Sequence, residues 1–311
     1  IPMLFMIVLA VLWIKSSRPL AIHFVSHAFL PNLTNFNNLA FLTTIIFGLM
    51  GLKMSAVQAG DVRNPQKDYP RALFWSTSLI LITRILSSLA ISFIVPAKQL
   101  SILSGLTEAY VVFFNSFHLP FFIPIIISLI IIGSLCSIST WVIGPTRGLL
   151  IATFENKISG LHCLLKVNRF GAPVCLLLFQ GILVTLLSSL FILIPSVSEA
   201  YWLLSVMTAQ LAVLFYIFLF LAALRLRYKE ARQSRVYRIP GGKWGIWIVT
   251  GLGLLACVMT FILGFFPPAV IVVDNLVKFD MILLGGLLLF CLPAVLSGVL
   301  LIGRSDSENN N

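Results

Sequence analysis

Two positive charges and two glycines are the residues of this chain best placed to do chemistry. Lys53 and Arg84 lie inside long apolar runs, and Gly48 and Gly51 precede Lys53 in the stretch 41–73, FLTTIIFGLMGLKMSAVQAGDVRNPQKDYPRAL. A charge at the centre of a membrane helix costs at least about 2.5–3.5 kcal/mol unless it is paired or hydrated. Each therefore points to water, an anionic ligand or a partner acid. The nearest acids, Asp61, Glu108 and Glu199, fall at the ends of apolar runs or between them. Lys53 can also snorkel to an interface, whereas Arg84 sits too deep in its run for that. Other chemistry finds little support. The chain has no Walker loop, HExxH, GxSxG or pair of carboxylates within an apolar run, so no enzyme is expected. His23, His27, His118 and His162 sit in polar connections. Cys136, Cys163, Cys175, Cys257 and Cys291 stand singly, so no metal, disulfide or cofactor is expected. The Asn32-Leu-Thr triplet matches a glycosylation sequon by pattern only.

The elements that position these residues are ones a bilayer accepts. Of 311 residues, 59% are hydrophobic and 10% charged, with mean hydropathy +1.05. An ordinary soluble domain is about 25% charged. The chain therefore reads as an all-α polytopic membrane protein, with one transmembrane domain over residues 1–311. Ile1–Ile14 is too short to span and reads as the end of a truncated helix. Complete spans are expected at about 39–60, 73–95, 121–143, 174–194, 200–224, 246–266 and 281–302. GLTEAYVVFFNSF, within 97–120, reads as a short interfacial helix, and 149–168 as an amphipathic surface segment. A first span that starts near Leu39 crosses the bilayer in about 22 residues and puts Gly48 near the midplane. Backbone broken at that depth survives only where it lines a protein cavity or meets a ligand. The alternative is a continuous helix whose glycines allow close packing.

Lysine and arginine are distributed unevenly. With those spans, fifteen fall on one side, among them Arg63, Lys67, Arg71, Arg147 and the run 225–243, RLRYKEARQSRVYRIPGGK. Lys15, Arg18, Lys98 and Lys278 are the four on the other. The basic side, with the C-terminus, is expected to be cytoplasmic at a cell (inner) membrane. The net charge of +11 then marks topology and anionic lipid rather than nucleic acid.

RNPQKDYP at 63–70, WVIGPTRG at 141–148, IPGGK at 239–243 and FFPP at 265–268 carry a family likeness. In that order the chain resembles the amino acid–polyamine–organocation transporters, and within them the bacterial glutamate/γ-aminobutyrate antiporters. The resemblance implies a twelve-helix fold with two inverted five-helix repeats, of which this chain supplies the second repeat and two extra helices. It also implies an unwound segment Phe47-Gly48-Leu49-Met50-Gly51 whose backbone meets the substrate's amino and carboxyl groups. Lys53, Ser137 and Tyr216 complete the expected substrate site. Three departures bear on specificity: Gly51-Leu52-Lys53 where those antiporters carry an acid, Ser137 where an acid is expected, and a different tyrosine spacing around Phe215 and Tyr216. The expected function is secondary active transport of amino acids, by exchange. Its partners are the substrate and the lipid bilayer, with oligomeric state open. A membrane remnant without activity is the alternative, and residues 1–311 by themselves are expected not to transport.

Overall fold

The computed structural model of the chain describes residues 2–21, 39–96, 101, 103–155, 166–194, 196–229, 239, 241–268, 271, 273 and 275–309. His23, His27, Asn32, Lys98, Lys157, His162, Cys163, Arg232, Arg235, Arg238 and Pro240 lie outside them. The described elements are all helical: α1 (Pro2–Lys15), α2 (Phe41–Leu49), a 3₁₀ segment (Met50–Asp61), α3 (Pro65–Ile94), α4 (Gly105–Ser116) and α5 (Phe122–Glu155). They continue with α6 (Val174–Ser188), the short α7 (Leu190–Leu193), α8 (Val197–Lys229), α9 (Gly242–Leu263) and α10 (Leu276–Asn309). Among the described residues, six helical stretches are long and apolar enough to cross a membrane: Pro65–Ile94, Phe122–Ile151, Val174–Leu193, Val197–Lys229, Gly242–Leu263 and Leu276–Val295.

The stretch expected to span at 39–60 has a different form. Its α-helical pattern ends at Leu49, and the next twelve residues are 3₁₀ helix. Runs of 3₁₀ helix longer than three or four residues are uncommon, because its hydrogen bonds are poorly aligned and its side chains eclipse. At about 1.5 Å per α residue and 2.0 Å per 3₁₀ residue, the two pieces together are long enough to cross a hydrocarbon core. A second difference lies in the third expected span. Helix α5 does not close near residue 143 but runs through Gly144-Pro145 to Glu155.

The chain divides into two compact units: Ile1–Leu30 with Gly51–Ser189, and Pro31–Met50 with Leu190–Asn311. In the first, Met6, Leu9, Ala10 and Trp13 of α1 bury against Ala90 and Ile94 of α3 and against Tyr110, Phe113 and Phe114 of α4. The interfacial segment read from GLTEAYVVFFNSF is thus α4, held by aromatic packing. Rings of Phe113 and Phe117 stack at 4.6 Å, and Arg18 lies 4.3 Å over the Phe117 ring. The first turn of α4 is fixed by Glu108, whose carboxylate accepts from Ser104 Oγ at 2.5 Å and from the Ser101 amide at 3.0 Å. The Ser104 hydroxyl, and then the Ser101 amide, hold the Glu108 carboxyl below its usual range. His118 closes α4 with φ +54, its amide bonded to Asn115 O; left-handed residues of this kind commonly end helices.

In the second unit α8 and α9 form an antiparallel pair with a legible register. Gln210 Nε2 donates to Phe261 O at 3.0 Å. Ten residues along α8, the Phe220 ring fills the notch left by Gly253, where a Cβ would come within 2.5 Å of it. Eight residues further on, Trp247 Nε1 donates to Tyr228 Oη at 2.5 Å. Helix α10 also packs on α8, with Met207 Sδ seated on Gly286, where a Cβ would lie 2.3 Å away. Glycine at 253 and 286 lets a bulky neighbour approach the helix backbone, the usual use of small residues in helix packing within lipid.

Candidate functional site

One candidate region, in the first unit, is built around a proline. Pro145 has no N–H, so the carbonyl of Trp141, four residues earlier in α5, loses its helical partner. An unpaired carbonyl in lipid costs several kcal/mol. Here Gln180 of α6 supplies the missing donor, its Nε2 lying 3.4 Å from Trp141 O. Thr146 Oγ1 adds local bonds to Val142 O at 2.8 Å and Ile143 O at 3.0 Å. A break in one helix is thereby satisfied by a side chain from the next, and α5 continues past it. The other end of the Gln180 amide, Oε1, is buried without a hydrogen-bond partner.

The 3₁₀ segment meets α5 beside that proline. Met54 Sδ approaches Gly144 so closely that a Cβ there would lie 3.0 Å from the sulfur. Ser137 precedes Gly144 by seven residues, two turns, so the two share a face of α5, where Ser137 is exposed. Lys53, next to Met54, is half-buried. At the next residue, Ser55 Oγ and Tyr69 Oη are 3.1 Å apart, which ties the 3₁₀ segment to the start of α3. Arg84, on α3, is exposed.

A separate candidate region lies in the second unit, at α2, α8 and α9. Ala209, Ala212 and Val213 of α8 and Cys257 of α9 form a buried cluster, with Ile46 of α2 and Tyr216 of α8 packed on it. Ile46, in the last turn of α2, and Tyr216 thus share one cluster as their neighbour. Thr43, Thr44, Ser205, Val206 and Ala209 line a shallow groove between α2 and α8. Both threonines bond back into the helix, Thr43 Oγ1 to Ala40 O and Thr44 Oγ1 to Phe41 O, each at 2.6 Å. Two fully buried side chains of α8 hold polar atoms without a hydrogen-bond partner: the Trp202 indole N–H and the Gln210 Oε1.

The expected residues are thus distributed over two units. Gly51, Lys53 and Ser137 belong to the first, and Phe47, Gly48, Leu49, Met50 and Tyr216 to the second. The side chains of Phe47 and Met50 lie outside the described residues. Four positions of interest were missed from the sequence: Gln180, Gln210, Thr43 and Ser205. The available signal was a polar side chain within an otherwise apolar run, the same signal that singled out Lys53 and Arg84.

Comparison with known proteins adds an independent finding. A family model described as amino acid permease matches residues 1–290. An uncharacterised transporter of Legionella pneumophila is 44% identical over 290 residues, 93% of this chain and 62% of that protein. A glutamate/γ-aminobutyrate antiporter of Lactococcus lactis is 27% identical over 288 residues, 91% of this chain and 57% of that protein. A probable agmatine/putrescine antiporter of Lactococcus lactis is 22% identical over 253 residues, 81% of this chain and 53% of that protein. The chain thus spans less than two thirds of the length of these relatives.

Proposed function

Because the chain belongs to the amino acid permease family, we propose that it serves secondary active transport of amino acids across a membrane, by exchange. The observation that carries this reading is the change from α to 3₁₀ helix at Leu49–Met50, inside an apolar stretch. Backbone groups released from an α-helical ladder at membrane depth need partners, and an amino acid's ammonium and carboxylate supply them. In this reading Phe47–Gly51 present backbone donors and acceptors to the substrate, and Ser137 and Tyr216 offer hydroxyls. Lys53 favours a substrate with a carboxylate beyond the zwitterion, which glutamate carries and γ-aminobutyrate does not, so in a glutamate/γ-aminobutyrate exchange it acts on the glutamate step. The basic ends of the helices, and the C-terminus, face the cytoplasm.

The test is counterflow. The full-length protein is reconstituted in liposomes loaded with unlabelled glutamate, γ-aminobutyrate, arginine or leucine, and uptake of labelled glutamate is followed. Saturable, stereoselective uptake that depends on internal glutamate or γ-aminobutyrate is the expected result. Uptake equal to that of empty liposomes with every internal amino acid rejects the transport reading. Exchange of arginine or leucine alone rejects only the substrate assignment.

A further inference from the structure

The paired ends of α8 and α9 carry a charged and aromatic patch that amino-acid exchange does not require. Tyr228 and Trp247 join through their polar atoms there, while each ring remains 52% exposed. Arg225 precedes Tyr228 by three residues and Lys243 precedes Trp247 by four, so on helical spacing each shares a face with its aromatic. Lys229 shares that face with Arg225, and Trp244, 80% exposed, lies with Lys243 and Trp247. Residues 225–229 and 241–247 contain no acid.

Deeper along both helices the same surface turns apolar. On α8, Leu221 and Phe218 continue the face of Tyr228 and Arg225; on α9, Leu255 and Val258 continue that of Trp247, and all four are exposed. An occupant that matches the whole patch must be anionic at one end and apolar along its length. We propose that this patch is a binding site for an anionic phospholipid. The lipid phosphate sits among Arg225, Lys229 and Lys243, the Tyr228–Trp247 pair marks headgroup depth, and an acyl chain lies along Leu221, Phe218, Leu255 and Val258. A soluble polyanion would meet the cations but leave the aromatic and aliphatic part unused. The charge complementarity is local, since a basic group near a membrane surface interacts with anionic lipid additively with its neighbours.

Native mass spectrometry of the full-length protein in neutral detergent tests this, with dioleoyl phosphatidylglycerol titrated against dioleoyl phosphatidylcholine. Wild type is expected to retain phosphatidylglycerol preferentially, and Lys229→Gln/Lys243→Gln to weaken that preference by about thirtyfold. Lys67→Gln/Arg71→Gln, which removes two cations elsewhere, is expected to leave it unchanged. A preference that is absent from wild type, survives Lys229→Gln/Lys243→Gln, or falls equally in the control overturns the site. A photoactivatable phosphatidylglycerol on wild-type protein decides the matter without any variant. Adducts within 218–229 or 242–258 support the site, and adducts confined elsewhere overturn it. Inorganic polyphosphate that binds wild type with the same dependence on Lys229 and Lys243, and displaces the lipid, assigns the patch to a soluble polyanion and also overturns it.

Discussion

At the scale of single residues, Lys53 and Glu108 show how position decides what a charge does. Lys53 is half-buried within the 3₁₀ segment, beside the Met54–Gly144 contact. In the proposed exchange it selects for a second carboxylate, and a hydrogen bond to a charged group is worth about 1.5–3 kcal/mol. Lys53→Gln is therefore expected to raise the KM for glutamate by about tenfold to a hundredfold, with a much smaller change for a neutral amino acid. Equal changes for both substrates in liposome uptake would remove Lys53 from substrate selection. Glu108 acts on stability instead. Its carboxyl is held below the usual range first by Ser104 and then by Ser101. A depressed value means that its contribution is present above the unfolded carboxyl range and is lost as pH falls through the folded value. The start of α4 is expected to open to amide exchange below about pH 4, and Glu108→Gln to open it already at neutral pH. Exchange at residues 101–108 that is insensitive to both changes would contradict the cap.

At the scale of elements, the lost backbone bond in α5 and the α8–α9 register both come from missing atoms. Pro145 lacks an N–H, and Gln180 restores a partner to the Trp141 carbonyl. Gln180→Leu is expected to destabilise the protein by about 1–3 kcal/mol, because it leaves that carbonyl unpaired within an apolar span. Pro145→Ala in the same background is expected to recover most of the loss, since an alanine N–H can bond to Trp141 O directly. Thermal unfolding of the single and double variants measures this, and additive losses would show that Gln180 acts elsewhere. On α9, Gly253→Ala places a methyl 2.5 Å from the Phe220 ring. Overpacking of this kind costs about 1–3 kcal/mol, and Phe220→Leu in the same background is expected to relieve it. A Gly253→Ala variant that unfolds like wild type would show that the α8–α9 register is not fixed at this contact.

At the scale of the whole molecule, charge distribution sets the orientation proposed here. Lysine and arginine are expected to concentrate on the side with Lys67, Lys166 and the end of α8, and in the proposed orientation these face the cytoplasm. Ser104 precedes α4 on the opposite side. Single cysteines at Ser104 and Lys166, in a background without Cys136, Cys163, Cys175, Cys257 and Cys291, are expected to react with an impermeant maleimide from opposite faces of the membrane. Labelling of both from one face would reject the topology.

The sequence by itself determined the class of this protein and its family. Apolar transfer and backbone satisfaction act residue by residue, so 59% hydrophobic content could only become helices in a membrane. RNPQKDYP, WVIGPTRG, IPGGK and FFPP pointed to the transporter superfamily without any contact being known. The paired glycines marked where the α-helical pattern gives way, but not the twelve-residue 3₁₀ helix that follows. Helix α5 was read as closing near residue 143 because Pro145 reads locally as a stop. The helix in fact runs on to Glu155, and the Trp141 carbonyl left by Pro145 meets Gln180, thirty-nine residues beyond Trp141. The same holds for Ile46 and Tyr216 on one buried cluster, Met54 against Gly144 and Trp247 on Tyr228. Which donor meets which acceptor, and which ring fills which notch, follows from how helices pack side by side, and that is fixed only when distant segments share one interface.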